Sequence, residues 1–360
     1  GGATPRAGLT TGQFASLLLL ALSPVSVVVS GFHGNTDPLM IFFALLSASL
    51  VEGAARGGAG AKRGRLELAA GVAFGMALNV KIVPLVFAPA VWFYLACARA
   101  RLRFFGAVAA TVFAASLPYV LQEPLTIARA VLGYGSLYGS WGWSYLLADA
   151  LPATLSYARP PHGLYGPHAT YATIGKWLAF TLVTAASFRM NRTTAPDERT
   201  TTTGGPATTD ESRTAAERMA TGVGPATADE RMTTERTTVG SAARAGVPVG
   251  SRPPLVLQCG LAASIFLALT PGFGMQYLAW LVPFVAALGL LPSLIYNLAA
   301  GCFVVASYAC WFRRPPPALC SAYDYAPLML AAWFSIILLV FFHLHRVRRN
   351  PRRAATEARR

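Results

Sequence analysis

Polar residues with chemical potential gather first in the motif Ser30-Gly-Phe-His-Gly-Asn-Thr-Asp37-Pro, which lies between two apolar stretches. His33, Asn35 and Asp37 together offer hydrogen-bond donors and acceptors suited to hydroxyl groups, to a phosphate or to a metal ion. A helix is expected to start at Asp37, where the helix dipole favours a carboxylate. Two interpretations of Asp37 are therefore open, a helix cap and a site residue.

A lysine interrupts a second apolar stretch, in Leu78-Asn-Val-Lys-Ile-Val-Pro84. Because Pro84 breaks a helix, the sequence predicts a turn at 79–84 between two short helices, 66–80 and 83–98. Lys81 could simply extend to the lipid headgroups. Its ammonium could instead bind a phosphate through charge-assisted hydrogen bonds.

A third motif, Thr270-Pro-Gly-Phe-Gly-Met-Gln-Tyr-Leu-Ala-Trp280, predicts a turn followed by a new helix. Gln276 and Tyr277 open that helix, and a helix N-terminus carrying an amide and an aromatic ring suits a sugar or a phosphate. The alternative is an interfacial turn with an aromatic anchor.

Three further charged residues are predicted on the same side as these motifs: Glu123, Asp324 and Arg313. Each carboxylate fits a solvated loop as well as a site. The sequence contains no GxSxG, HExxH or P-loop motif. Its five cysteines form no CxxC pair and lie mostly in apolar runs, so neither a disulfide framework nor a metal site is predicted from them.

The composition predicts an integral membrane protein. Of 360 residues, 54% are hydrophobic and 12% are charged, and the mean hydropathy is +0.47, whereas soluble domains carry about 25% charged residues. A span needs about 20 apolar residues. We therefore predict an all-α, polytopic transmembrane bundle with about ten membrane helices, at 13–30, 38–52, 66–80, 83–98, 104–121, 172–189, 255–271, 274–290, 292–312 and 325–345.

The net charge of +15 predicts orientation rather than nucleic-acid binding, because the excess lies in short segments between apolar runs and in the C-terminal tail. Anionic lipid headgroups would reinforce it. The predicted cytoplasmic segments are 53–65, 99–103, 190–254 and 346–360. The predicted outer segments are 31–38, 122–170, 271–276 and 313–325, of which 122–170 is an aromatic loop region suited to the membrane interface or to sugar rings.

Four regions follow from this organisation. Residues 1–189 and 255–345 form the membrane helices, and 346–360 form a basic cytoplasmic tail. Residues 190–254 are rich in Thr, Ala, Gly and Arg and contain two similar segments, 205–211 and 224–230. Such a composition cannot bury enough surface to offset its ordering entropy, so we predict a disordered cytoplasmic loop.

The three motifs resemble those of GT-C superfamily glycosyltransferases, most closely the mannosyltransferase-like members that use polyprenyl-phosphate sugars. The resemblance lies in Ser23-Pro24 followed by His33-Gly34-Asn35-Thr36-Asp37, in Gly71 and Gly75 before Lys81-Ile-Val-Pro84, and in Gln276-Tyr277-x-x-Trp280 before Pro283. It covers about 1–145 and 255–290.

The resemblance implies inverting transfer of a hexose from a polyprenyl-phosphate donor to a glycan, lipid or protein acceptor, on the extracytoplasmic face of the cell membrane. Substrate contacts would come from His33, Asn35, Lys81, Glu123, Gln276, Tyr277 and Arg313. Such enzymes typically take their base from a carboxylate in the first outer loop. We expect that carboxylate upstream of this chain, with Asp37 as the candidate within it. A divalent metal is needed in some members and is left open.

A multi-pass transporter or lipid flippase is the alternative. Transporters place ionisable residues near the bilayer midplane, often in repeated halves. Here the polar motifs gather on one predicted face and no repeat of one half in the other is visible, which favours the enzyme.

Overall fold

A computed structural model describes residues 11–33, 35–57, 60–126, 137–138, 141–150, 166–192, 252–311 and 326–357. All of them belong to one of two compact units, and the other unit, Ala195–Val247, lies outside the described residues. The helices are α1 (Thr11–Ala21), α2 (Pro24–His33), α3 (Asp37–Arg56), α4 (Ala61–Val80), a 3-10 helix (Val83–Phe87), α5 (Ala88–Tyr94), α6 (Ala98–Gln122), α7 (Gly142–Ala150), α8 (Gly166–Arg192), α9 (Leu255–Leu269), α10 (Tyr277–Leu288), α11 (Leu290–Trp311) and α12 (Ala326–Glu357).

Helices α3 and α4 form a hairpin, and α6 packs on α4 in the same direction. The close approach of α4 and α6 depends on two glycines. A Cβ at Gly71 would come within 2.3 Å of the Phe104 carbonyl oxygen, and one at Gly75 within 2.6 Å of Thr111 Cβ. Because α4 and α6 are parallel, the 3-10 helix and α5 between them must run back along the bundle.

The predicted turn after α4 is confirmed. Helix α4 ends at Val80, and Lys81 is extended, with φ −155° and ψ 147°. Its backbone N–H still donates to the Ala77 carbonyl, which closes the last turn. Pro84 then stands at the start of the 3-10 helix, where its missing N–H costs no hydrogen bond.

Helix α9 lies at the centre of the bundle. Eleven of its fifteen residues are buried, as expected for a helix that is apolar on all sides. Its first N–H groups, at Leu255 and Val256, donate to Glu52 Oε1 near the end of α3. Helix α9 therefore runs antiparallel to α3, and its C-terminus lies at the end of the bundle where α3 begins.

Aromatic side chains from three other segments satisfy the last carbonyls of α9. Trp141 Nε1 donates to Leu267 O over 2.9 Å, Trp333 Nε1 to Ala268 O over 3.0 Å, and the Tyr171 hydroxyl to Leu269 O over 2.7 Å. A helix end normally leaves such carbonyls unpaired, and an unpaired carbonyl in an apolar interior is costly. The aromatic donors thus let α9 end inside the protein.

A short β-ladder follows this helix end. Strand β1 (Leu137–Tyr138) pairs antiparallel with β2 (Gly272–Phe273), with Leu137 opposite Phe273. Helices α10 and α11 then form a hairpin around Gly289, whose φ of 112° is readily adopted by glycine alone. Helix α2 packs along α11 in the same direction, where Ser23 Oγ donates to Asn297 Oδ1 over 2.6 Å.

Within the described residues, five segments are long and apolar enough to cross a membrane: Phe14–Gly31, Asp37–Arg56, Ala98–Gln122, Leu290–Cys310 and Ala326–Val347. Three further apolar helices, Val83–Tyr94, Leu255–Leu269 and Tyr277–Leu288, are shorter. The all-α prediction and the membrane assignment agree with this architecture. The number of ten spans stays a prediction.

The boundaries of the predicted regions can be compared with the ends of the helices. Helix α8 continues to Arg192, and the next described residue is Arg252, so the predicted loop 190–254 lies almost wholly outside the described residues. The predicted tail 346–360 begins inside α12, which is helical as far as Glu357. Most of the predicted aromatic region 122–170 is also outside the described residues.

Candidate functional site

Asn35, Asp37 and Lys81 form one polar cluster that joins the first two sequence motifs. Lys81 Nζ lies 3.0 Å from Asn35 Oδ1 and makes an ion pair with Asp37 Oδ1. Asn35 Nδ2 donates to Asp37 Oδ2 over 2.9 Å, which closes a ring of three contacts. The side chain of Asp37 is 1% exposed and that of Lys81 is 26% exposed. The carboxylate is thus the buried member of the pair, and the lysine side chain is the partly exposed one.

Two helix ends bring this cluster together. Asp37 occupies the first turn of α3, and Lys81 follows the last residue of α4. Because α3 and α4 are antiparallel neighbours, these ends meet. The N-cap residue Thr36 makes no side-chain capping hydrogen bond, and the Asp37 oxygens contact Lys81 and Asn35. Asp37 therefore serves as the buried partner of Lys81 and makes no side-chain capping hydrogen bond, although the helix dipole still stabilises its charge.

Lys81 retains hydrogen-bonding capacity after these contacts. An ammonium has three donors, and Asn35 and Asp37 take two of them. The third can reach an anion at the exposed side of the cluster. A lysine that only extended to the headgroups would not need its Nζ held by two side chains of another segment.

Tyr308 of α11 is a neighbour that the sequence did not single out. It is 4% exposed and lies close enough to Asp37 for the carboxylate charge to act on its hydroxyl. The parallel packing of α2 and α11 explains this position, since α2 leads directly toward Asn35. No motif marks Tyr308 in the sequence, because its place depends on a contact between distant helices.

The third motif lies at the same end of the bundle. Gln276 is the N-cap of α10 and is half-buried, with its side chain folded over Gly274. Tyr277 is 6% exposed and stacks on Trp280, with ring centroids 4.2 Å apart. Phe273 packs edge-on against Tyr277 and stacks on Trp141 at 3.7 Å. The ring of Tyr277 therefore builds a packed aromatic wall, and Gln276 is the more accessible residue of the pair.

Trp280 carries an indole N–H that is buried without a hydrogen-bond partner among the described side chains and backbone. Such donors are rare in folded proteins. The residue lies one turn into α10, below Gln276.

The remaining predicted site residues have no described contact with the Lys81 cluster or lie outside the described residues. Glu123 is exposed at the end of α6 and accepts a hydrogen bond from Thr126 Oγ1 over 2.9 Å. Since α6 runs parallel to α4, Glu123 lies at the Lys81 end. His33 ends α2, but its side chain is not described, and Arg313 and Asp324 lie outside the described residues.

The cluster does not suit a divalent cation. Asp37 supplies its one carboxylate, and both oxygens are already engaged by Lys81 and Asn35. A fixed ammonium beside that carboxylate would repel a metal ion. Among the described residues, no group of three His, Cys, Asp or Glu side chains comes together.

The opposite end of the bundle is basic. Glu67, 2% exposed, pairs there with Arg63 of α4 and Arg103 of α6, each at 2.9 Å. The two basic clusters that flank 66–98 therefore meet at one end, as the predicted turn at 79–84 requires. Most other described Lys and Arg residues lie at this end too, namely Arg56, Lys62, Arg65, Arg99, Arg101, Arg189, Arg192, Arg252 and Arg346. The Lys81 cluster thus lies across the bundle from the main positive charge.

Comparisons of the chain with protein-family models, with curated proteins and with solved structures found no match.

Proposed function

We propose that this chain belongs to an integral membrane glycosyltransferase that transfers a hexose from a polyprenyl-phosphate donor. The observation that carries the proposal is the partly exposed side chain of Lys81, whose ammonium is paired with a buried carboxylate at the less basic end of the bundle. The order of the three motifs, which resembles that of GT-C enzymes, supports it independently.

Lys81 is proposed to bind the donor phosphate. When the sugar–phosphate bond breaks, negative charge develops on the leaving phosphate, and a fixed cation stabilises that charge in the transition state. Asn35 and Asp37 hold the ammonium in place before the donor arrives, so little reorganisation is needed at the moment of reaction.

Asp37 is proposed to position Lys81 rather than to act as the base. The carboxylate is 1% exposed, and its two oxygens contact Lys81 and Asn35, so an acceptor hydroxyl has no open approach to it. The acceptor hydroxyl must still lose a proton as it attacks. We assign that step to a different carboxylate, in agreement with the first-outer-loop residue that the resemblance implies.

We propose that this end of the bundle faces the extracytoplasmic side of the cell membrane. The support is the concentration of arginines at the other end, since basic segments are retained in the cytoplasm. We also propose ten membrane spans. They are the five long apolar segments, the three shorter apolar helices, and the charged helices α4 and α8. The acceptor is a glycan, a lipid or a protein.

Transfer from a radiolabelled polyprenyl-phosphate hexose, by the full-length protein in membranes, tests this function. Lys81→Gln removes a charge-assisted contact worth about 1.5–3 kcal/mol, so donor use should fall about ten- to a hundredfold. Lys81→Arg should retain more activity than Lys81→Gln. Lys176→Gln, on α8 at the same end, is the matched control and should behave as wild type.

Equal activity of wild type and Lys81→Gln at sub-saturating donor would remove the phosphate role. Absence of transfer by wild type, together with movement of the labelled lipid across proteoliposomes, would instead favour the flippase.

A further inference from the structure

Three basic residues at the opposite end of the bundle have no carboxylate within ion-pair distance in the described part of the chain. They are Lys62 and Arg65 at the start of α4 and Arg99 at the start of α6, and all three are exposed. Their basic neighbours are engaged. Arg63 and Arg103 contact Glu67, and Arg56 contacts Glu52.

Glu67 aligns the beginnings of α4 and α6, so these three cations lie at a similar height along the bundle axis. It bridges Arg63 of α4 and Arg103 of α6, so the first turns of the two helices are fixed side by side. Arg99 is one turn before Arg103, and Lys62 and Arg65 lie on either side of Arg63 in the chain. One buried carboxylate therefore neutralises part of the cluster and leaves a local excess of positive charge on its surface.

An apolar stripe continues from this cluster along α4. Leu68, Val72 and Met76 are 46%, 47% and 40% exposed. They follow Lys62 and Arg65 at spacings of three and four residues, which places all five on one helical face. From Arg65 to Met76 the stripe is about 16 Å long at 1.5 Å per residue. That length matches one leaflet, which is half of a hydrocarbon core about 30 Å thick.

We propose that this surface of α4 and α6 binds an anionic phospholipid. The headgroup phosphate lies against Lys62, Arg65 and Arg99, and an acyl chain follows Leu68, Val72 and Met76. Charge selects an anionic over a zwitterionic headgroup, and the stripe selects a lipid over a soluble phosphate. The site is separate from the Lys81 cluster and does not depend on the glycosyltransferase proposal.

The test uses the full-length protein in detergent, titrated with phosphatidylglycerol or with phosphatidylcholine of the same acyl chains, and counts bound lipids by native mass spectrometry. Wild type should prefer phosphatidylglycerol. Arg65→Gln/Arg99→Gln should bind it about thirtyfold more weakly, since each basic residue near an anionic surface contributes about a factor of five. The control Arg192→Gln/Arg346→Gln removes two charges from the same end and should keep the preference.

Equal loss in the two double variants, or no preference in wild type, would overturn the site. Glycerol phosphate at equal concentration should not displace the lipid, and displacement would show a site for free phosphate instead. Leu68→Asn/Val72→Asn should weaken binding of both lipids without changing the preference between them. Unchanged binding in that variant would overturn the acyl-chain contact.

Discussion

The ammonium of Lys81 contacts the carboxylate of Asp37 where the end of α4 meets the beginning of α3. The two charges differ in their access to solvent, since Asp37 is buried and Lys81 is partly exposed. Loss of the lysine would therefore leave an uncompensated carboxylate in the interior, whereas loss of both charges would leave neutral groups of similar shape.

This asymmetry predicts a rescue. Lys81→Gln should lower the stability of the protein by about 1–3 kcal/mol, below the 3–5 kcal/mol of a fully buried pair because the lysine is partly solvated. Adding Asp37→Asn should restore most of that loss, as measured by thermal unfolding in detergent. Donor use should stay low in the double variant if Lys81 binds phosphate. A double variant that regains activity would assign Lys81 a purely structural role.

The glycine contact between α4 and α6 predicts a second effect. A methyl group at Gly71 would collide with the Phe104 backbone carbonyl, which cannot move without shifting α6. Gly71→Ala should therefore destabilise the protein by about 1–3 kcal/mol in thermal unfolding. Gly106→Ala is the control, because nothing lies within 4 Å of its Cβ position. Equal melting temperatures would show that the two helices can separate at little cost.

The aromatic donors at the end of α9 predict a third effect. Trp333→Phe keeps a ring in the core but leaves the Ala268 carbonyl without its hydrogen bond. The expected cost is about 1–3 kcal/mol, the penalty for an unsatisfied buried acceptor. Trp143→Phe, at a site that is 45% exposed, should cost less. Reversible unfolding in a denaturing detergent measures both, and similar losses would count against a specific role for the Trp333 hydrogen bond.

The proposed orientation of the bundle in the membrane predicts a labelling pattern. In a background without the native cysteines, Glu123→Cys should react with an impermeant maleimide added to intact cells. Lys62→Cys should react only after the membrane is permeabilised, because it lies at the basic end. The reverse pattern would invert the proposed topology and place the Lys81 cluster in the cytoplasm.

The helices that flank the predicted loop 190–254 lie close together, so we expect the protein to tolerate a deletion within this loop. Asn191 Nδ2 donates to Gln258 Oε1 over 2.8 Å, so the end of α8 and the beginning of α9 are neighbours. Replacing 195–250 with a short Gly-Ser linker should change stability by less than about 0.5 kcal/mol, as for other surface changes. A clear drop in melting temperature would show that the deleted segment packs on the helices.

The sequence could predict the features that depend on local chemistry. Pro84 and the charges around 66–98 predicted the turn at Lys81, and the structure confirms both the turn and the meeting of the flanking basic clusters at Glu67. The apolar runs predicted the helices. The number of membrane spans was harder to predict, because α9 and α10 are shorter than the thickness of the hydrocarbon core.

The contacts between distant segments could not be predicted. Tyr308 approaches Asp37 only because α2 packs along α11. Trp141 is fully buried, although it belongs to an aromatic-rich segment of the kind found at membrane interfaces. Asp37 was expected as either a cap or a site residue, and the choice depends on where the Lys81 side chain reaches. Each of these outcomes depends on tertiary packing, which the periodicity of a single sequence does not reveal.

The dependence of α9 on its neighbours constrains how the protein can be made. Its N-terminal amides need Glu52, which is synthesised much earlier, but the donor to the Ala268 carbonyl, Trp333, follows 65 residues later. Until α12 emerges from the ribosome, the Ala268 carbonyl at the end of α9 lacks this donor, and an unpaired carbonyl in lipid is costly. We expect the membrane insertase to retain α9 until then, and a nascent chain stopped before Trp333 to be a preferred substrate of membrane proteases.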